Sequence, residues 1–265
     1  MTGGLLGVFA HPDDETYSMG GVMARYTDEE IPATILCFTR GEVGMIAEGS
    51  GATRENLGEV REAELRAACG ILGVTDVRIV GTADYATEAT AEGVDAIIGT
   101  MRELTPRVVV TMEPAGVTHH PDHIAVSAMT SEAFHGMREE SGGAYPDRLY
   151  HSAIPASFLE AFATAGEKLG LPNFFDPKDP LVPRAAPDES IDCLVDVAAW
   201  VERKAGALRA HRTQSMEMIS WLPENLYQAV FGSEAFQRPF PARTSAEELE
   251  TELFAAFRTP EGSLR

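Results

Sequence analysis

The chain has 265 residues, 44% apolar and 23% charged, an ordinary globular composition that excludes a collagen, a coiled coil or a disordered tail. With 21 basic and 41 acidic residues the formal charge is −20. Such a chain is repelled by polyphosphate backbones and anionic membrane surfaces, which argues against nucleic acid or lipid headgroups as partners.

Leu5 to Ala10 reads as a buried strand that ends at a histidine. It is too short for a signal core, and no later run approaches the roughly 20 apolar residues of a membrane span. Cys37, Cys69 and Cys193 form no CxxC pair, the pattern of reduced thiols. The expectation is a soluble, cytoplasmic protein without a transmembrane segment, for which a homo-oligomer is allowed. A helical pattern follows over about Ser18 to Glu29, then a second apolar strand over Ala33 to Thr39. Helical spacing returns over Thr53 to Leu72, with Leu65, Ala68, Cys69 and Leu72 on one stripe. Val77 to Val80 reads as a third strand, Val94 to Leu104 as a helix and Arg107 to Met112 as a fourth strand, with another helix after His120. Apolar strands alternating with helices indicate parallel βαβ units covered on both faces.

The fold class expected is therefore α/β: a Rossmann-like three-layer sandwich with a mostly parallel sheet and an irregular C-terminal third. One domain over 1–265 is expected, with a core over 1–155 and a C-terminal excursion with packing helices over 156–265. Residues 171 to 187 hold five prolines and read as a loop. Ile191 to Val195 reads as an edge strand, Val197 to Arg212 as a helix, and the tail from Trp221 as short packing helices. Met216, Met218, Trp221 and Leu222 are expected to pack in that tail.

Four of the seven histidines fall in two clusters. Ala10-His11-Pro12-Asp13-Asp14-Glu15 follows strand one, and Thr118-His119-His120-Pro121-Asp122-His123 follows strand four. Both lie where a strand's carboxyl end turns into a helix, the edge at which doubly wound sheets place ligands. In each cluster the candidate ligands are three apart, which on a first helical turn puts them on one face. The proline between them suits a first helical position. One HPDD alone reads equally well as a turn and helix cap; two clusters at equivalent strand ends favour a metal site. His11, Asp14 and a histidine of the second cluster make a two-histidine, one-carboxylate set with an open position, suited to one catalytic Zn²⁺ per chain. Fe²⁺ suits the same donors. Zinc brings the pKa of a bound water to about 7, and a carboxylate such as Asp13 then removes its proton. Spacing alone leaves open whether His120 or His123 is the ligand.

AHPDDE after the first strand, with HHPDHIAVS after PRVVVTMEP, resembles the LmbE-like (PIG-L) family of zinc-dependent N-deacetylases. The likeness covers most of residues 4 to 140 and recurs in Leu149 to Pro155 and Lys204 to Gln214. It implies that His11, Asp14 and His123 bind zinc and that Asp13 is the general base. It further implies that His120 assists the oxyanion and the leaving amine, with Asp122 orienting and charging His120. Arg61, Glu42 and Asp84 match substrate-contacting positions, and Arg61 alone would also read as a helix-surface salt bridge. The family has no ligand role for His119, and assigns none that the residues themselves explain to Lys204, His211 or Gln214. Thiol-pathway members carry a tyrosine two residues before the histidine matched by His120. This chain has Thr118 there, which counts against a mycothiol-precursor substrate.

The expected function is removal of an acetyl or small acyl group from the amide nitrogen of an N-acetylglucosamine-type small molecule. The alternatives are an amidase acting on a thiol conjugate or other N-acyl compound, a metal-dependent phosphoesterase, and a catalytically silent metal-binding relative. A phosphoesterase wants more carboxylates and basic phosphate clamps than the loop residues Arg40, Arg54 and Arg61 offer.

Overall fold

The computed structural model describes residues 3–170, 182–214, 227–244 and 246–259. In chain order it runs β1 (Leu5–Phe9), α1 (Asp14–Asp28), β2 (Ala33–Cys37), α2 (Leu57–Ile71), β3 (Asp76–Ile79), α3 (Ala91–Leu104) and β4 (Val108–Met112). The turn α4 (Gly116–His119) and α5 (Pro121–Glu140) come next, then β5 (Arg148–Ala153), α6 (Ala156–Leu169), β6 (Cys193–Asp196), α7 (Val201–Ala210), α8 (Tyr227–Phe231) and β7 (Ser233–Phe240).

β1 is buried at every position, as a strand covered on both faces must be. Its side chains alternate between faces. Leu5 and Phe9 join one apolar cluster with residues of α1 and α2, whereas Leu6 and Val8 join a second with residues of α3 and α5. These are the three layers expected. Gly7 lets the strands close up, because a Cβ there would lie 2.7 Å from Ile35 Cδ1.

The described strands form one sheet in the order β3-β2-β1-β4-β5-β7-β6. β1 pairs in parallel with both β2 and β4. The chain thus leaves β1 in one direction, through β2 and β3, and crosses back to resume at β4. That reversal makes the crevice between β1 and β4 the topological switch point, where open α/β sheets bind ligands. Both histidine clusters leave the sheet at this crevice.

The C-terminal part departs from the sequence reading. Instead of short helices alone, the tail supplies β7, inserted antiparallel between β5 and β6. Its strand character is masked by Glu234 and Arg238, which are charged yet buried at 4% and 3% exposure. Each is tolerated because a counter-charge meets it: Lys204 Nζ lies 2.6 Å from Glu234, and Glu250 lies 2.5 Å from Arg238 Nη1. β6 is the edge strand expected. The helix expected over Val197 to Arg212 is α7, shorter at both ends and preceded by a 3₁₀ turn at Ala198–Trp200. α6 occupies a stretch to which the sequence assigns no element. Met216, Met218, Trp221, Leu222 and most of the proline-rich stretch lie outside the described residues.

α1 begins four residues before the helix expected and breaks at Met19, where φ is −152° and ψ is 24°. A break frees backbone amides that need acceptors. Glu234 provides them, its two carboxylate oxygens accepting from Gly21 and Val22 N–H at 2.8 Å each. Lys204, unexplained from sequence, neutralises that carboxylate and donates to Tyr17 O. Among the described residues no helix is long and apolar enough to cross a membrane.

Candidate metal and catalytic site

The first cluster is shaped by a turn rather than a helix, since α1 starts at Asp14. His11 N–H donates to Asp14 Oδ2 at 2.8 Å, folding the two candidate ligands onto each other. Asp13, the helix cap, takes φ 113°, a region that costs a non-glycine residue about 1–3 kcal/mol. Three contacts hold it there. Its N–H donates to Glu15 Oε2 at 3.0 Å, while Arg61 Nη2 donates to Pro12 O at 2.6 Å and to Asp13 Oδ2 at 3.3 Å. The second cluster starts α5 as its spacing predicts, with His120 as cap and Pro121 in the first turn.

The two clusters meet. His11 Nδ1 lies 3.0 Å from His123 Nε2 and 3.5 Å from Asp14 Oδ2, and His123 Nε2 lies 3.4 Å from Asp14 Oδ1. Tetrahedral ligands at about 2.0–2.1 Å from a zinc-sized ion are roughly 3.3 Å apart, so these three groups fit one small divalent cation. His123 Nδ1 donates to Gly116 O at 3.0 Å, which leaves its Nε2 lone pair facing the other two.

His11 Nε2 faces away, toward Asp84 Oδ1 at 3.0 Å and Asp122 Oδ2 at 3.2 Å. Those carboxylates make one metal-compatible group with His11, and His120 and His123 make another with it. An imidazole whose Nε2–H is spent on carboxylates offers Nδ1 to a metal, so Asp84 and Asp122 read as orienting groups and Asp14 as the candidate ligand. Electrostatics agree that the pocket seeks positive charge. Burial pulls the His11 imidazole down, but Asp122, Asp14 and Asp84 raise it well above its ordinary range. Burial also pushes Asp14 up, yet His123 and His11 hold it down at about 2. Asp13 differs: burial raises it, Arg61 opposes, and it stands at about 6. Adjacent carboxylates are thereby split into a ligand-like anion and a base-like group able to exchange a proton near neutrality.

His120 packs edge-on against His11, with ring centroids 4.7 Å apart. Its contact with Asp122 is not the one the family pattern implies. The Asp122 backbone N–H donates to His120 Nδ1 at 3.3 Å, whereas the Asp122 carboxylate serves His11 and accepts from Tyr85 and Thr87 N–H. Capping geometry is the reason, because the amide two residues into a helix points back at the cap side chain. Burial and the His11 and His123 charges lower the His120 imidazole. With Nδ1 accepting, it is neutral and carries its proton on Nε2.

The three substrate candidates are drawn inward. Arg61 is 4% exposed, so the surface salt bridge is not its role; it braces Asp13, Pro12 O and Gly41 O. A Cβ at Gly44 would lie 2.3 Å from Arg61 Nη1, which is why the chain approaches there as glycine. Asp84 accepts from Val43 N–H and faces His11, and Glu42 Oε1 accepts from Asp84 N–H. Glu42 Oε2 is buried without a partner among the described residues.

Tyr85 carries no signal in the sequence, and the motifs do not show what Glu15, His211 and Gln214 touch. Tyr85, 62% exposed and at φ 63°, is fastened by the 2.7 Å bond from its N–H to Asp122 and sets its ring 4.6 Å from that of His120. His211 and Glu15, both fully buried, meet at 3.3 Å behind Asp13. Burial lowers His211, and the Glu15 carboxylate more than reverses this. Gln214 donates to Met45 O. His119 is exposed at the end of α4. On one side Asp13, Asp14 and His123 open into a cavity of about 500 Å³ that extends beneath α6, α8 and β7.

Residues 6–134 match the family model described as PIG-L, GlcNAc-PI de-N-acetylase. A 1D-myo-inositol 2-acetamido-2-deoxy-alpha-D-glucopyranoside deacetylase of Geodermatophilus obscurus is 34% identical, over 95% of this chain and 97% of its own. Among solved structures, N,N'-diacetylchitobiose deacetylase from Pyrococcus horikoshii superposes with a TM-score of 0.62 at 20% identity, covering 91% of this chain and 86% of that one. The 4-carboxy-2-hydroxymuconate hydratase from Pseudomonas putida does so at 0.65 and 18% identity, covering 94% and 100%. One fold carries both activities, so the likeness in structure shows the fold and the site must argue the chemistry.

Proposed function

Because the chain belongs to the PIG-L family of GlcNAc-PI de-N-acetylases, we propose that it is a zinc-dependent hydrolase removing the acetyl group from the amide nitrogen of an N-acetylglucosamine-type small molecule. The observation that carries this reading is the meeting of His11 Nδ1, His123 Nε2 and Asp14 within 3.5 Å of one another, with Asp13 alongside. His11, Asp14 and His123 would hold the ion. Zinc in such a site supplies Lewis acidity toward an amide carbonyl and toward water.

The chain's own residues do the rest. Asp13, poised at about 6, accepts a proton from the attacking water and, once protonated, returns it to the departing amine. A group with a pKa near the working pH can do both. Arg61 and the Glu15–His211 pair keep Asp13 in its strained conformation. His120 donates Nε2–H toward the charge that develops on the carbonyl oxygen. Asp84 and Asp122 hold His11 in the tautomer that presents Nδ1.

The name of the Geodermatophilus relative makes an inositol glucosaminide the first substrate to test, despite Thr118. The experiment is acetate release from that compound and from simple N-acetylglucosaminides by zinc-loaded and chelator-stripped protein. Chelator-sensitive release supports the reading, and zinc-replete protein that releases no acetate from any of them overturns it.

A further inference from the structure

An acetyl group places a single methyl beyond the carbonyl carbon, about the size of one water, whose share of liquid volume is about 30 Å³. The cavity that starts at Asp13, Asp14 and His123 is about 500 Å³. Its outer walls are apolar, built from Ile154, Phe158, Leu159, Val230, Phe231 and Ala235. Several polar side chains along it are spent on the protein itself, and Arg184, which also lines it, is exposed. Glu113 accepts from Ala115 and Val117 N–H, Lys204 pairs with Glu234, and Ser152 bonds Ser18. His11, His120, Tyr85 and Glu42 are not among the residues that line this cavity, and the rings of His11 and Tyr85 both pack against that of His120.

An amide has two substituents to place. The sugar carries several hydroxyls, each costly to bury without a partner, so it belongs on the polar flank of His120, Glu42 and Tyr85. The acyl substituent, which begins at the reacting carbon, is left for the apolar side. Resting on the amide-hydrolase reading above, we propose that the site also takes amino sugars bearing a medium-length alkanoyl group, hexanoyl to octanoyl, with the chain lying in this cavity. Water adds its oxygen to the carbonyl carbon, the C–N bond breaks, and a water proton passes to the nitrogen. The products are an alkanoate and a free amino sugar.

The test uses zinc-loaded full-length protein and methyl glucosaminides bearing N-acetyl, N-butanoyl, N-hexanoyl or N-octanoyl groups, with free amine as the common readout. Each buried methylene should raise kcat/KM about fourfold. Leu159→Trp and Val230→Trp, at half-buried positions on the wall, should restrict turnover to acetyl while melting near the wild-type temperature. Calorimetry of metal-free protein gives a readout independent of turnover: octanoate should bind more tightly than acetate, and Leu159→Trp should abolish the difference. Acetyl turnover with no gain from longer chains, and no preference for octanoate, overturns the inference and leaves the deacetylase reading intact. Failure to release amine from any substrate overturns the reading on which it rests. An N-acetyl octyl glucosaminide that gains over its methyl counterpart, with that gain erased by the tryptophan variants, would assign the cavity to the aglycone and likewise overturn the proposal.

Discussion

In the parallel part of the sheet, the loops after β1 and β4 bring His11, Asp14 and His123 within 3.5 Å of one another across a sequence separation of more than a hundred residues. The antiparallel part, β7 and β6, contributes none of these groups. It contributes the Glu234 carboxylate that caps the broken α1 and part of the cavity wall. Strand ends at a switch point converge on a shared crevice and suit chemistry, whereas strands added at an edge enlarge the container. The two regions should therefore fail differently when altered.

The widest separation is expected at Asp13 and His123. Asp13→Ala removes the base and should cost about 10²–10⁴ in kcat with metal content kept, whereas His123→Ala should lower metal affinity as well as activity. Metal analysis beside amine release checks both, and a metal-poor Asp13→Ala protein would break the assignment of separate roles. On the antiparallel side, Lys204→Met leaves the Glu234 carboxylate buried without its partner and should cost about 3–5 kcal/mol of stability. Its melting temperature should fall while the folded fraction still binds metal. If metal binding is lost first, the two regions are not separable in this way.

A smaller effect is expected at Asp122, which faces His11 from the first turn of α5, beside His123. Asp122→Asn should weaken metal binding about 10–100-fold, readable by competition with a chromophoric chelator. The smallest effect lies at the seam between the regions, where His151 of β5 faces Gln237 of β7. Burial holds the His151 imidazole down at about 4, while unfolded it titrates near 6.5. Between those values the unfolded chain binds the extra proton, so stability should fall as pH drops from about 6.5 toward 4. Melting temperatures across that window should decline less steeply in His151→Gln, and equal slopes would show that other groups set the acid response.

The strands β1 to β4 and the helices between them were legible in the chain because each has a local signature, whereas β5, parallel to β4, was not read as a strand. β1 and β4 are unbroken apolar runs, and α5 starts at the proline after its cap. β7 was not legible, since Glu234 and Arg238 read as surface residues until their counter-charges from α7 and the tail are in place. The same limit applies within the site. The motifs name His11, Asp13, Asp14, His120 and His123, but the partner of the Asp122 carboxylate follows from how a helix cap points, and Tyr85 reaches His120 from a different loop.

Sequence alone determined the layered α/β character and the donor types of the candidate cation site, because side-chain period and short-range spacing are properties of neighbouring residues. Only the tertiary structure decided that β1 lies beside β4, that Asp84 and Asp122 converge on His11, and that an apolar cavity opens beside Asp13. Those are contacts between residues far apart in the chain, chosen by which faces can be buried together and which charges can be met, and no local pattern encodes them.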